Sequence, residues 1–346
     1  MMRLCTKFFV IPISLLLLNS CSESKLVEPV KEKTLYTIHK ALSAGNSWRQ
    51  VYSFPTHIGK YTFYLSDVSC DEKGNIYAST FGGLYKINPS DSSAIILRNG
   101  LINHIIEKDT FQIVTTILYN DNRIIAGSSN LDNFAGIFIS DDNGLTFQNK
   151  VPIFEYANIV SLYKSPSGEI FAGCYMDIYR SVDNGYTWTS KLANTEPGFG
   201  YFYSFAFDKY GDIYVATRRG VYYSDSRQIN FKSIGLTSEA ILGIDINSLG
   251  WIYALTETGK MFVSKYSGTR WQQISSFPNY GTHCVYINND DYIFAGTANG
   301  IYRSKDFGST WELVGCQNEW IIRIISDSKG NLIAGDFANK IYYSNQ

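Results

Sequence analysis

A short phrase that returns seven times constrains this chain more than any other feature. It reads Gly74-Asn75-Ile76-Tyr77-Ala78, Asn122-Arg123-Ile124-Ile125-Ala126-Gly127, Gly168-Glu169-Ile170-Phe171-Ala172-Gly173 and Gly211-Asp212-Ile213-Tyr214-Val215-Ala216. It recurs as Gly250-Trp251-Ile252-Tyr253-Ala254, Asp291-Tyr292-Ile293-Phe294-Ala295-Gly296 and Gly330-Asn331-Leu332-Ile333-Ala334-Gly335. From Ile76 to Leu332 the mean spacing is about 43 residues, the length of a four-stranded propeller blade. A unit that short cannot bury its own apolar face, so the copies must stack on one another.

Every phrase is preceded by an apolar or alternating run: Tyr64 to Cys70, Thr115 to Tyr119, Ile159 to Tyr163, Phe202 to Phe207, Ile241 to Ile246, His283 to Ile287 and Ile321 to Ile325. Such runs are expected to form innermost strands buried on both sides. A third strand such as Gly300 to Ser304 follows each phrase, then a turn and a fourth strand. β-Branched and aromatic residues dominate, and nothing after residue 34 has helical periodicity. The expected fold is all-β, a seven-bladed β-propeller of four-stranded antiparallel blades over residues 35–346. The last repeat stops after its third strand, at Ile341-Tyr342-Tyr343-Ser344. The stretch Gly45 to Val51 mirrors Gly308 to Val314, so the N-terminal strand is expected to close the last blade and leave only short, protected edges.

Three turns between third and fourth strands read Ser140-Asp141-Asp142-Asn143-Gly144-Leu145-Thr146-Phe147, Ser181-Val182-Asp183-Asn184-Gly185-Tyr186-Thr187-Trp188 and Ser304-Lys305-Asp306-Phe307-Gly308-Ser309-Thr310-Trp311. They match the Asp box, Ser-x-Asp-x-Gly-x-Thr-Trp. In this respect the chain resembles the Asp-box (BNR) propellers, a sialidase-like superfamily that includes sortilin-type and photosystem assembly factor-like domains. Two further copies have decayed: Ser226 and Gln228 replace the Asp and Gly in one, Tyr266 replaces the Asp in the other. Asp142, Asp183 and Asp306 are expected to accept backbone N–H bonds within their turns, with Gly144, Gly185 and Gly308 supplying a positive φ. The resemblance makes these residues scaffold and puts the usual ligand site on the opposite face. A calcium loop would need a later Glu, whereas Leu145, Thr146 and Phe147 belong to the next strand, so no metal or cofactor is expected.

The N-terminus carries Arg3 and Lys7, then an apolar run from Phe8 to Leu18. This reads as a signal peptide over residues 1–20, too short for a bilayer span. Leu18-Asn19-Ser20-Cys21 resembles the lipobox of bacterial lipoproteins, which implies a lipid on Cys21, a polar tether over 21–34 and a place in the bacterial cell envelope. A net charge of −1 offers no electrostatic footprint for nucleic acid. Cys70, Cys174, Cys284 and Cys316 fit no zinc spacing, and their pairing stays open between disulfides and buried thiols.

The resemblance also names what sialidase chemistry needs: three arginines around a substrate carboxylate and an entry motif of an aromatic followed by Arg-Ile-Pro. The nearest stretch here is Tyr52-Ser53-Phe54-Pro55. Arg180 and Arg303 share a third-strand position, and Arg49, Arg98 and Arg270 lie on or beside outer strands, leaving only Arg218, Arg219 and Arg323 near the ligand face. Sialidase activity does not fit. Loops of that face carry Glu155, Asp177, Glu239, Glu257, Glu319 and Asp336, read as solvated acids or as weak candidates for catalysis. They also carry Tyr156, Tyr175, Tyr201, Phe202, Tyr280, Trp320 and Phe337, aromatics suited to stacking on sugars or peptide side chains, with Arg218 and Arg219 as anion contacts. Trp320 leads, because it stands outside the repeat position shared by Trp48, Trp188, Trp271 and Trp311. His283 reads as a core histidine. The expected function is an envelope-anchored scaffold that binds a glycan or a protein partner, with no catalytic constellation. The alternative is a non-sialidase glycoside hydrolase using two loop carboxylates about 5 to 9.5 Å apart.

Overall fold

The computed structural model describes residues 48–344 apart from 56, 59–60, 63, 102–103, 107–108, 112–113, 129–135, 152–157, 175–176, 191–200, 228, 275 and 279–280. Within them every helical or extended element is a strand, and seven four-stranded antiparallel sheets follow one another along the chain. The innermost strands of blades one to seven are Leu65–Cys70, Val114–Asn120, Ile159–Lys164, Phe202–Phe207, Ile241–Ile246, Thr282–Ile287 and Ile321–Ser326. Two short hairpins, His57–Ile58 with Tyr61–Thr62 and His104–Ile106 with Asp109–Phe111, lie in the connections entering blades one and two.

The recurrent phrase leads into the second strand of each blade, from Ile76–Thr80 in the first to Leu332–Asp336 in the last, and every residue of these strands is buried. Its Ala-Gly step has a steric cause. A Cβ on Gly173 would lie 2.6 Å from the carbonyl oxygen of Phe202, and one on Gly296 would lie 2.9 Å from that of Ile321. Each glycine thus lets the first strand of the next blade approach. The same contact joins the ends of the ring, where a Cβ on Gly335 would meet Leu65 at 2.4 Å. Core clusters straddle blades accordingly: Ile333 and Ile341 of blade seven pack with Leu65, Val68 and Ile76 of blade one.

The closing strand is the N-terminal one. Trp48–Ser53 pairs with Lys340–Ser344, Trp48 opposite Ser344. The Trp48 indole packs on Gly315 in the outer strand of blade six, as that of Trp271 packs on Gly235 of blade four. Both tryptophans do the same job, so Trp48–Ser53 occupies a fourth-strand position in register and in packing.

The Asp boxes are built as turn locks. Asp183 accepts from Thr187 N at 2.8 Å, Thr187 Oγ1 at 2.5 Å and Ser181 Oγ at 2.8 Å, while Gly185 N donates to Ser181 Oγ at 2.8 Å. Asp142 and Asp306 repeat this pattern, and the three glycines have φ near +90°. Hydrogen bonds from Thr146 hold the Asp142 carboxyl down at about 2. Every oxygen of these carboxylates is engaged within its own turn.

Two faces follow from the connectivity. Loops entering the first strands and turns between second and third strands share one face, tied by Phe81 N to Tyr64 O at 3.2 Å, Glu257 N to Ala240 O at 2.8 Å and Phe337 N to Trp320 O at 2.8 Å. This is the mouth face. The Asp-box turns and the turns between first and second strands form the other.

Candidate functional site

Each innermost strand breaks register at the same place: between Leu65 and Asp67, Thr282 and Cys284, Ile321 and Arg323, and likewise in the other four blades. Such a bulge re-aims side chains. Two successive residues of a strand thereby line the axial cavity, as Ser66 with Asp67, His283 with Cys284 and Ile322 with Arg323 do. The cavity holds about 600 Å³.

Arg323 crosses it. From blade seven its Nη1 donates to the Tyr163 hydroxyl of blade three at 2.8 Å, and the guanidinium lies 5.3 Å from that ring's centroid. Its Nε stands 2.8 Å from Asp67 Oδ1 of blade one, an ion-pair distance at which the N–H does not point at the oxygen, so Nε makes no hydrogen bond among the described residues. Burial opposes the charge on Arg323, but the Asp67 carboxylate and Tyr163 outweigh it and hold the guanidinium protonated. Asp67 in turn accepts from Thr116 Oγ1 of blade two at 2.8 Å, and the Tyr163 hydroxyl meets Ser204 Oγ of blade four at 3.1 Å. A polar belt thus joins five of the seven blades through the axis.

Asp245 of blade five also lines the cavity. Burial pushes its carboxyl up to about 7, against hydrogen bonds from Ile246 N at 2.8 Å and Ile287 N at 2.7 Å and the charge of Arg323. Burial pushes His283 down to about 4, so its imidazole is neutral. It pushes Cys284 up to about 12, which leaves a thiol rather than a nucleophilic thiolate.

Above the cavity runs a row of rings. Tyr64 stacks on Phe337 at 4.6 Å between centroids, Phe337 meets Trp320 at 5.1 Å, and Trp320 meets His283 at 5.0 Å. Trp320 is 42% exposed and Phe337 37%, while His283 belongs to the cavity wall. The row therefore leads from the open surface at the junction of blades seven and one into the channel. Across the mouth, Tyr201 stacks on Tyr203 at 5.9 Å, and Arg218 and Glu257 lie close enough to Tyr203 for their charges to act on its hydroxyl. Burial pushes that hydroxyl up to about 12.

The residues picked out from sequence divide clearly. Trp320, Phe337, Tyr201 and Arg218 gather at the mouth, with Arg219 in the same turn as Arg218. Phe202 is corrected: it is a fully buried core residue, packed with Phe171 and Phe205. His283 is also corrected, from core filler to a cavity-wall residue that ends the aromatic row. Glu155, Tyr156, Tyr175, Tyr280 and Cys21 lie outside the described residues. Cys70, Cys174, Cys284 and Cys316 are free thiols.

None of the candidate acids that the structure describes lines the cavity. Glu239 pairs with Lys260 at 2.8 Å, and Glu319 with Lys340 at 2.6 Å. Asp336 lies 3.9 Å from the same Lys340 ammonium, but its side chain is fully buried and accepts from Lys340 N and the Tyr342 hydroxyl. Glu319 and Asp336 are thus neighbours that share the Lys340 ammonium. Asp177 accepts from Ile178 N and Ser190 Oγ, both at 2.7 Å, and Glu257 is exposed. Among the described residues no cluster of histidine, cysteine and carboxylate groups is placed to hold a metal.

Sequence reasoning missed Tyr64, Tyr203, Asp67 and Asp245. Asp67 and Asp245 carry a signal, since an acid inside an otherwise apolar inner strand is rare.

No family profile and no curated protein sequence matches the chain. Solved structures share its fold. YCF48 bound to D1 peptide superimposes with a TM-score of 0.65 at 14% identity, over 89% of this chain and 100% of that one. The extracellular domain of the putative hybrid two-component system BT4673 from B. thetaiotaomicron gives 0.67 at 17%, over 87% of this chain and 40% of that one. A catalytically inactive virginiamycin B lyase from Staphylococcus aureus, with quinupristin, gives 0.64 at 12%, over 86% and 99%.

Proposed function

We propose that this protein is a lipid-anchored envelope protein whose propeller mouth binds a polypeptide partner without transforming it. The observation that carries the reading is the row Tyr64–Phe337–Trp320–His283, an aromatic path that is exposed at Phe337 and Trp320 and ends in the cavity wall. Partly exposed aromatics beside a concave opening are the usual anchors of protein interfaces, and among the described candidate acids no lysine-free carboxylate pair accompanies them. That YCF48 is seen with a bound peptide supports a polypeptide over other ligands for a ring of this shape. The sequence of residues 1–34 supports export and lipidation at Cys21, with the propeller over 35–346.

The test is an envelope pull-down with the whole chain, followed by peptide titration of the recovered partner and a glycan array run in parallel. Trp320→Ala is expected to weaken partner binding about 30-fold, as central aromatic anchors do, with the melting temperature unchanged. Binding indifferent to Trp320 and Phe337 would remove the mouth from consideration. Saturable glycan binding with no protein partner would replace the polypeptide by a sugar.

A further inference from the structure

The Asp-box face is less bland than a scaffold requires. Its turn tips carry exposed Leu145, Val182, Tyr210, Leu249, Tyr266 and Phe307, one or more in each of blades two to six. Two of these residues stand where the turn wants something else. Blade three has Asp183 and Asn184 in its box, and blade two Asp142 and Asn143. Blade five has Tyr266 in place of the aspartate, 62% exposed, and so forgoes the carboxylate that locks the turns of blades two, three and six. Blade six has Phe307 in place of the asparagine, 40% exposed, at a φ of 57°. Asn143 and Asn184 hold the same left-handed conformation at 59° and 58°. Asparagine tolerates that region, whereas a bulky aromatic is strained there. At both positions a stabilising polar residue has given way to an exposed ring. Phe307 regains a ring contact with Trp251, but Tyr266 breaks the local rule while exposed, and such a residue points to a task outside folding.

The chain's own course identifies what meets them. Trp48, where the described chain begins, pairs with Ser344 at the Asp-box end of blade seven, so the sequence running back to Cys21 reaches the propeller on this face. Lysines accompany the rings: Lys209 Nζ lies 5.2 Å from the Tyr210 centroid, Lys265 Nζ 4.0 Å from that of Trp251, and Trp251 itself packs on Phe307 at 5.2 Å. Carboxylates of the intact boxes are occupied within their turns. Rings and lysines on short turns are the composition of a surface that sits among lipid headgroups.

We infer that the Asp-box face rests on the lipid bilayer, inserting its apolar turn tips among the headgroups and pointing the mouth away from the membrane. The inference builds on the proposed anchor at Cys21. It makes the face opposite the mouth a second working surface, with a phospholipid bilayer as its partner.

Hydrogen exchange on the full lipidated chain in vesicles of phosphatidylethanolamine and phosphatidylglycerol tests it, with the Cys21→Ser chain free in solution as reference. Amides in 208–211, 247–250, 264–269 and 306–309 are expected to exchange about tenfold slower on vesicles, equivalent to one or two part-buried side chains. Those in the mouth turns 218–219, 257–259 and 337–339 are expected not to change. Tyr266→Asp/Phe307→Asn, which restores the residues of blade three, is expected to melt no lower than the parent and to lose the slowing. Equal exchange in both states, slowing at the mouth, or slowing that needs added envelope protein would each overturn the inference. Intact mass of the purified chain reads acylation at Cys21 separately. An acylated chain with no slowing refutes docking alone, and an unacylated one refutes the anchor, with docking then read from the same amides at excess vesicles.

Discussion

Asp245 and His283 share the cavity wall, and burial displaces them in opposite directions. Asp245 stays protonated in the folded chain up to about pH 7 and ionises near its ordinary value of 3.8 when unfolded. Its contribution is complete below the unfolded value and declines as pH rises towards 7. His283 is neutral in the folded chain down to about pH 4 and takes a proton below its ordinary 6.5 when unfolded, so its contribution grows as pH rises between those values. The two effects offset one another from about pH 4 to 6.5, and only the loss at Asp245 continues above. Asp245→Asn is therefore expected to gain on the parent from pH 5 to pH 8, by roughly 1–4 kcal/mol in urea unfolding. His283→Gln is expected to show the opposite trend below pH 6.5. A pH-independent difference for Asp245→Asn would mean that the carboxylate ionises freely in the fold.

At the scale of the element, the turn lock and the closing strand carry separable loads. Asp183→Ala removes the acceptor for Thr187 N and Oγ1 and is expected to cost about 1–2 kcal/mol, seen as a lower urea midpoint with an unchanged slope. Deleting residues 45–53 strips blade seven of its outer strand and exposes the edge Lys340–Ser344; cooperative unfolding or solubility is expected to fail. A melting curve like that of the intact chain would contradict closure by this strand. These elements were legible in the sequence because each obeys a local rule. The phrase repeats, the strands are apolar, and Trp48 sits in the same local setting as Trp311. Trp320 was legible for the opposite reason, since it stands outside the repeat position shared by Trp48, Trp188, Trp271 and Trp311. Arg323 stood out only as an arginine near the ligand face and Asp67 and Asp245 only as acids in inner strands, because simple alternation cannot place them on the axis. A bulge in every inner strand turns them there, and their partners lie in other blades.

For the whole molecule, the belt from Ser204 through Tyr163, Arg323 and Asp67 to Thr116 is the one polar structure among the described residues that spans the axis. Arg323→Met leaves Asp67 without its cation and is expected to cost about 3–5 kcal/mol in denaturant unfolding, whereas Tyr163→Phe is expected to cost about 1 kcal/mol. Equal and small losses would place the holding force in the apolar contacts between blades alone. The closing strand has a consequence in time as well as in space. A chain made from its N-terminus presents Trp48–Ser53 before any other blade strand, yet the partner, Lys340–Ser344, is the last strand to appear. Six blades can stack as they emerge, but the ring stays unlatched until Lys340–Ser344 has been made, and its closure is a single long-range event. The first blade strand made is the last to settle, so commitment to the folded state waits for the last strand of blade seven.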